Sequence, residues 1–393
     1  MMTTILYEPL AARKLERPDR QELDARIAAA LARVDRMLPQ FGEYFPAPSS
    51  ESGIYAPIDN VEWTNGFWTG MLWLAWQLTG EERYRSVAER NIQSFATRVE
   101  RLVNVDHHDL GFLYTLSACA AYRLTGDTLA RSSGLEAARL LLKRFDPVAN
   151  VIQAWGDMKD PKQRGRMIID CNLNVPLLYW ASRETGNKDF AAAADKHLAQ
   201  AAKLLVRADA STFHTFYVDT KTGKPRHGST HQGHSDDSSW ARGQAWGIYG
   251  FALAWRHTSD PAYLDIASKL ANHFLNRLPG DGICCWDLIF TDEVGTPRDS
   301  SAAAIAACGL LELAQALPLS NEMRETYEAW AAAIVRTLGD NYLAPLEGSN
   351  AVLLHAVYHM PNKAGVDEAC IWGDYFYLEA LMRLRHPWEP YWS

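Results

Sequence analysis

The chain has 393 residues, 48% of them hydrophobic, and a formal net charge of −8. That length allows one large domain or two, with ample material for a core. The acidic balance argues against a nucleic-acid or anionic-membrane surface, because either requires a basic field. No apolar run approaches the roughly 20 residues of a membrane-spanning helix, and residues 1–20 are polar and charged without an apolar h-region. The six cysteines (Cys119, Cys171, Cys284, Cys285, Cys308 and Cys370) show no Cys-x-x-Cys spacing. They read as reduced core residues of a cytoplasmic protein.

Two kinds of segment alternate along the chain. Segments 66–80, 111–126, 172–186, 241–258, 301–317 and 372–384 carry small and aromatic residues on every face, and several end in Thr-Gly. A helix that is apolar all round is buried all round. Between them run amphipathic, charged stretches: 20–38, 82–103, 128–145, 188–207, 261–278 and 321–338. Six buried helices alternating with six half-exposed ones predict an all-α fold, an (α/α)6 barrel or six-hairpin toroid. The spacing of the inner helices, about 45 to 70 residues, is too uneven for a regular solenoid. Proline, glycine and aspartate cluster only in connecting loops, so the whole of 1–393 reads as a single domain. Two connections read as short β-hairpins: 213–218 with 224–229 around Thr220-Lys221-Thr222-Gly223, and 283–291 continuing across 293–295.

In such a barrel the loops preceding the inner helices line one mouth. In chain order they carry Asn60 to Trp68, Asp106-His107-His108-Asp109, Arg166 to Asn172, Thr230 to Trp246, then Trp286-Asp287 with Asp299, and Trp372-Gly373-Asp374-Tyr375. Every loop offers an acid or an aromatic residue. Acids at helix starts also have a structural explanation, since they cap free N–H groups and offset the dipole. In the fourth loop Asp236, Asp237, Ser238 and Ser239 are good capping residues. Arg242 and Trp246 then share one helix face, and Trp240 and Gln244 a neighbouring one. A guanidinium among indoles suits a planar, anionic, partly apolar ligand such as a sugar carboxylate. The plainer alternative is a surface arginine beside core tryptophans. His107-His108 and the group His227, His231 and His234 raise the question of a metal. Zinc ligands usually sit on rigid elements with carboxylate support, whereas these lie in Gly- and Ser-rich loop, so neither metal nor cofactor is expected. There is no phosphate-binding loop, no Gly-x-Ser-x-Gly elbow and no Cys/His nucleophile pattern.

Three of these motifs together carry a likeness. His107-His108-Asp109-Leu110-Gly111-Phe112, Arg166 to Asn172, and His231-Gln232-Gly233 followed by Trp240 to Trp246 resemble, in order and spacing, the unsaturated glucuronyl hydrolases of glycoside hydrolase family 88. The resemblance spans roughly residues 60–375 and implies one (α/α)6 barrel. It also implies an enzyme acting on oligosaccharides left by polysaccharide lyases, which carry a 4,5-unsaturated uronic acid at the non-reducing end. The chemistry implied is hydration of the C4=C5 enol ether: a proton goes to C4, water adds at C5, and the hemiketal falls apart. By the same matching Asp170 is the general acid and base, and Asp109 its partner. Trp63 and Trp155 stack on sugars, while His214, Gln232, Arg242 and Trp246, with Trp240 beside them, surround the unsaturated ring. No obligate protein partner is implied. Two opposing effects act on Asp170: the helix start lowers its pKa, while burial and the Asp109 charge raise it. The upward effects are expected to win.

Some members that prefer sulfated fragments carry a Ser-and-Lys cluster near the last inner helix. Residues 348–359 here offer Ser349 but no lysine before Lys363, so unsulfated substrates are expected. The nearest alternative is the sister family of unsaturated rhamnogalacturonyl hydrolases, with the same barrel and chemistry on pectin fragments. A non-catalytic sugar-binding barrel would keep the tryptophans but have no use for two buried acids. A sugar isomerase on the same barrel is more distant, since it would want paired histidines facing the pocket.

Overall fold

A three-residue device turns inner helices into outer ones. At Thr79-Gly80-Glu81, Thr125-Gly126-Asp127 and Thr185-Gly186-Asn187 the threonine hydroxyl donates to the carbonyl four residues back. It then accepts the N–H two residues on. The glycine between sits at φ 72–75°, a left-handed conformation that ends a helix without a Cβ penalty. Thr258-Ser259-Asp260 repeats the device with Ser259 at φ 59°. Asp127, Asn187 and Asp260 then cap the outer helices that follow.

The computed structural model describes residues 5–7, 10, 15 and 17–393, so most of the polar segment 1–20 lies outside the described residues. Among these, the inner helices are Asn65–Thr79, a second running from Leu110 to Thr125, Pro176–Thr185, Ala241–Thr258, Ser300–Ala316 and Ile371–Arg385. The outer ones are Arg20–Met37, Glu82–Glu100, Thr128–Lys143, Lys188–Leu204, Pro261–Leu275 and Met323–Asn341. This is the expected (α/α)6 barrel, with two local departures. The second inner helix passes through a π-helical turn at Thr115–Cys119, and the third is preceded by a 3-10 turn at Ile169–Leu173. The inner helices are buried along most of their length, and all six cysteines are buried and unpaired.

Gly111 shows why the second and third inner helices must start where they do. A Cβ there would lie 2.2 Å from Asn174 Cα and 2.4 Å from its carbonyl oxygen. Backbone meets backbone, so nothing can yield cheaply. Gly111→Ala should therefore destabilise the fold by about 3 kcal/mol, read as a lowered urea midpoint with an unchanged slope.

The hairpin expected at 213–229 is present as Thr215–Val218 paired with Pro225–Ser229. A third strand, Arg166–Ile168, adds to its edge. The second expected hairpin is absent: 283–295 holds no strand, and its backbone bonds elsewhere. Trp286 O accepts Ala241 N–H, and Leu288 N–H reaches Ser239 O, so this segment closes the start of the fourth inner helix. The chain pairs back only through an isolated antiparallel bridge of Cys285 to Arg298, past the expected span. The polar cluster 236–239 correspondingly leaves that helix uncapped by side chains. Its groups are used inside the loop, Asp236 accepting Thr230 N–H and Ser238 donating to Asp287.

Candidate active site

The loops ahead of the inner helices converge on a cavity of about 470 Å³. Val61, Glu62 and Trp63 come from the first loop, Asn104 to Asp109 from the second, and Trp155 and Asp170 from the third. His231, Gln232 and Trp240 come from the fourth, with Arg242 and Trp246 on its helix, and Tyr358 and His359 from the hairpin before the sixth. The fifth loop contributes no lining residue. Asp287 is spent on loop N–H groups and Ser238, and Asp299 caps Ser301 and Ala302. Asp374 also lies away from the cavity. Burial pushes its pKa to about 7, against hydrogen bonds from Leu353 N–H, Val352 N–H and the Tyr55 hydroxyl.

Each wall is held by a nameable contact. The Arg166–Ile168 strand pairs with Thr215–Val218, and Ile169 N–H continues to His214 O, so the sheet edge delivers Asp170 to the mouth. His108 N–H donates to Ala154 O, tying the second loop to the third. Trp63 stacks on Trp372 at 5.1 Å and donates its indole N–H to the Tyr358 hydroxyl. Gln232 Nε2 donates to Tyr358 O at 2.8 Å. Trp155 carries the Arg166 guanidinium on its face at 4.9 Å.

Asp109 and Asp170 face each other across His108. The His108 Nε2 atom lies 3.4 Å from Asp109 Oδ1 and 3.4 Å from Asp170 Oδ1. Asp109 stands at the N-cap of its helix, yet its side chain makes no capping bond. The plain capping explanation therefore fails for it. Asp170 Oδ1 is buried and has no hydrogen-bond partner. Burial, followed by the Asp109 charge, pushes the Asp170 carboxyl well above the usual range, against a smaller downward pull from Arg242. Asp109 goes the other way. Burial alone would raise it, but His108, His107 and the Asn174 amide together hold it low. His108 is itself pulled to about 4 by burial. His107 Nε2 meets Asn104 O at 2.8 Å, and its Nδ1 lies 3.1 Å from Asp109 N and 3.3 Å from Asp109 Oδ2. Two carboxyls pushed apart in this way leave one favouring its proton and the other its charge.

The same trio bears on the metal question. Ligand atoms of His108, Asp109 and Asp170 lie within 4.8 Å of one another, the only such grouping among the described residues. A cation and the Asp170 proton would compete for this spot. His227 and His234 point elsewhere, His227 stacking on Tyr217 and His234 sitting against Phe290.

Of the residues singled out from sequence, Asp109, Asp170, Trp63, Trp155, Gln232, Trp240, Arg242 and Trp246 all line the cavity. His214 does not. It sits one layer back, only 3% exposed, because its Nδ1 accepts the N–H groups of His231 and Gln232 and its ring packs on Trp240 at 4.3 Å. Arg242 is more committed than its sequence position suggests. It lies between Trp240 and Trp372, donates to Val357 O and Tyr358 O, and stands 3.5 Å from buried Asp299. Arg242→Met should strand Asp299 as an unpaired buried charge and cost about 3 kcal/mol, visible as a fall in Tm before any kinetic assay. Ser349 is likewise elsewhere, buried and donating to Gly53 O at 2.6 Å. His108, His231, Tyr358 and His359 are lining residues that the motif reading did not assign to the site. For the last two the signal was present, a Pro361-Asn362 turn between short apolar runs, and the structure forms that hairpin as Ala356–His359 with Ala364–Glu368.

Comparison with known proteins agrees with this geometry. The family model Glycosyl Hydrolase Family 88 matches residues 35–342. An unsaturated chondroitin disaccharide hydrolase of Streptococcus pneumoniae is 44% identical over 374 residues, covering 95% of this chain and 94% of the relative. An unsaturated glucuronyl hydrolase of a Bacillus species is 45% identical over 367 residues, covering 93% and 97%. The crystal structure of unsaturated glucuronyl hydrolase from Streptococcus agalactiae superposes with a TM-score of 0.97 at 43% identity, covering 100% of this chain and 98% of that one. With a family match over most of its length and relatives this similar end to end, the chain belongs to Glycosyl Hydrolase Family 88.

Proposed function

We propose that the chain removes 4,5-unsaturated glucuronic acid from the non-reducing end of lyase-generated oligosaccharides, by hydrating the C4=C5 enol ether. The observation that carries the reading is Asp170, raised and with its Oδ1 atom unpartnered, opposite a low Asp109 in an indole-walled cavity. The unsaturated ring is flat from C4 through C5 to its carboxylate, which suits a slot between indole faces. Asp170 gives its proton to C4. The Asp170 carboxylate so formed takes a proton from the water that adds at C5. The C5 hemiketal then opens to a ketone and the glycosidic oxygen leaves with the remaining sugar. Asp109 holds the ring hydroxyls and, by its charge, keeps Asp170 protonated between turnovers. Trp63 and Trp155 stack on the sugars, and Gln232, Arg242 and Trp246 border the unsaturated ring.

Unsulfated substrates are our reading of specificity. Arg242 is the one arginine or lysine among the lining residues, and both its terminal nitrogens already donate to backbone carbonyls. Burial holds His231 and His359 at the rim below the usual imidazole range, with Arg166 adding to it at His231, and His231 and Arg242 at His359, which disfavours a positive charge on either ring. Related enzymes differ here: a variant of the S. agalactiae enzyme is known in complex with dGlcA-GalNAc6S, and a neighbour 44% identical with dGlcA-Glc-Rha-Glc. We further propose that 1–393 acts as one catalytic domain. Six buried, unpaired cysteines support a reducing, cytoplasmic setting, and among the described residues no helix is long and apolar enough to cross a membrane.

The test is incubation with unsulfated and sulfated unsaturated chondroitin disaccharides and an unsaturated rhamnogalacturonyl disaccharide, following loss of the conjugated double bond. Fastest loss from the unsulfated glucuronyl substrate supports the reading. Binding without loss of the double bond contradicts the enzymatic part, and a preference for the pectin fragment contradicts the substrate.

A further inference from the structure

At the end of the barrel away from the cavity, residues 388–393 turn inward. Trp388 Nε1 and the Tyr391 hydroxyl both donate to Gln77 Oε1, at 3.1 and 2.6 Å. Arg123 donates to the carbonyls of Glu389 and Pro390, and His257 Nε2 reaches Trp392 O at 3.0 Å. These bonds deliver Trp392 to full burial. Its indole N–H donates to Glu379 Oε2 at 3.0 Å, part of a buried polar group with Arg383, Glu312 and Tyr249. The other face of the indole meets aromatic rings. Phe376 stacks on it at 6.0 Å with 9° between planes, and Phe112 stands edge-on at 6.1 Å. Those two rings lie one layer behind the cavity, against its lining tryptophans Trp63 and Trp246. Phe376 touches Trp246 at 5.4 Å, and Phe112 touches both Trp246 at 5.2 Å and Trp63 at 5.8 Å.

We infer that residues 388–393 act as a plug, and that Trp392 is a positioning residue which supports the cavity wall from behind through Phe112 and Phe376. The physical ground is that close-packed rings transmit a displacement, because the interior has no spare volume to absorb it. Phe112 lies one helical turn after Asp109, so a shift of that ring moves the carboxylate that faces Asp170. The effect falls on the geometry of proton transfer more than on sugar binding, whose contacts lie on the far side of the tryptophans. The inference rests on the cavity being where the hydration proposed above takes place.

The experiment is Trp392→Gly, with indole added back, in the disaccharide assay well below Tm. The expected result is a fall in kcat of at least about tenfold with KM within about twofold. Free indole should restore much of the kcat by refilling an apolar cavity of its own shape. Gln77→Ala, which removes two anchors at an exposed position, should lower kcat in the same direction by less, and serves alone if the glycine variant does not fold. A lowered Tm with kcat, KM and the pH–rate profile unchanged in every folded variant overturns the inference while leaving the catalytic reading intact. Absence of turnover by the unaltered chain overturns both.

Discussion

Asp170→Asn is expected to lower kcat by about 10³-fold, since the side chain can neither give the proton to C4 nor take one from water. The loss should come without loss of fold. In the folded protein burial and the Asp109 charge raise the Asp170 pKa above its unfolded value. For an acid raised in this way, the favourable contribution is complete below the unfolded pKa and is lost as pH rises through the folded one. At neutral pH, replacing it by a neutral amide should therefore leave Tm equal or higher, a trade of stability for function common at active sites. A fall in kcat with a parallel fall in Tm would point to a structural role instead. KM should change little, because the proton moves only in the transition state and the bound ring does not depend on its transfer.

The second large effect is at Asp109, and its signature is a displaced pH profile. In the unaltered protein the basic limb of kcat is expected to report loss of the Asp170 proton and to lie above the ordinary carboxyl range. The acidic limb is expected to report protonation of Asp109, which is held low. Asp109→Asn removes the second-largest cause raising Asp170, so the basic limb should move to lower pH by at least about one unit. At neutral pH less of the enzyme then carries the proton, and with the ring hydroxyls also released, kcat should fall by about 10²-fold or more. A variant whose rate falls equally at every pH would mean that Asp109 only orients the sugar. His108 sits between the two acids at equal distance, so its replacement by Asn should disturb both limbs together.

Much of this was legible because repetition and chemistry coincide. The Thr-Gly-Asp and Thr-Gly-Asn hinges mark the turns between inner and outer helices, and the all-round apolar stretches between them require a buried ring. The His107 to Phe112 motif has two separate physical origins: Gly111 answers to backbone contact with Asn174, whereas Asp109 answers to the cavity. What stayed hidden depends on partners distant in sequence. His214 looks like a site residue in a motif, but two backbone N–H groups of the next loop claim its Nδ1. Residues 283–290 are apolar but for Asp287, as a buried strand would be, yet the open end of the fourth inner helix takes up hydrogen bonds of Trp286 and Leu288. Glu312 sits in a helix that reads as apolar, and only the fold brings Arg383 and Arg256 to it. Tyr358 and His359 enter the site from a hairpin whose partner walls lie more than a hundred residues away, as the Gln232–Tyr358 bond illustrates.

The most direct measurement is turnover of an unsaturated chondroitin disaccharide in heavy water, quenched early, with the position of deuterium in the released sugar acid read by NMR. Delivery of a solvent-derived proton by Asp170 predicts one deuterium at C4 and no remaining C4=C5 bond, with both the label and the product missing in Asp170→Asn. Release of a sugar that keeps its double bond and carries no deuterium at C4 would contradict it.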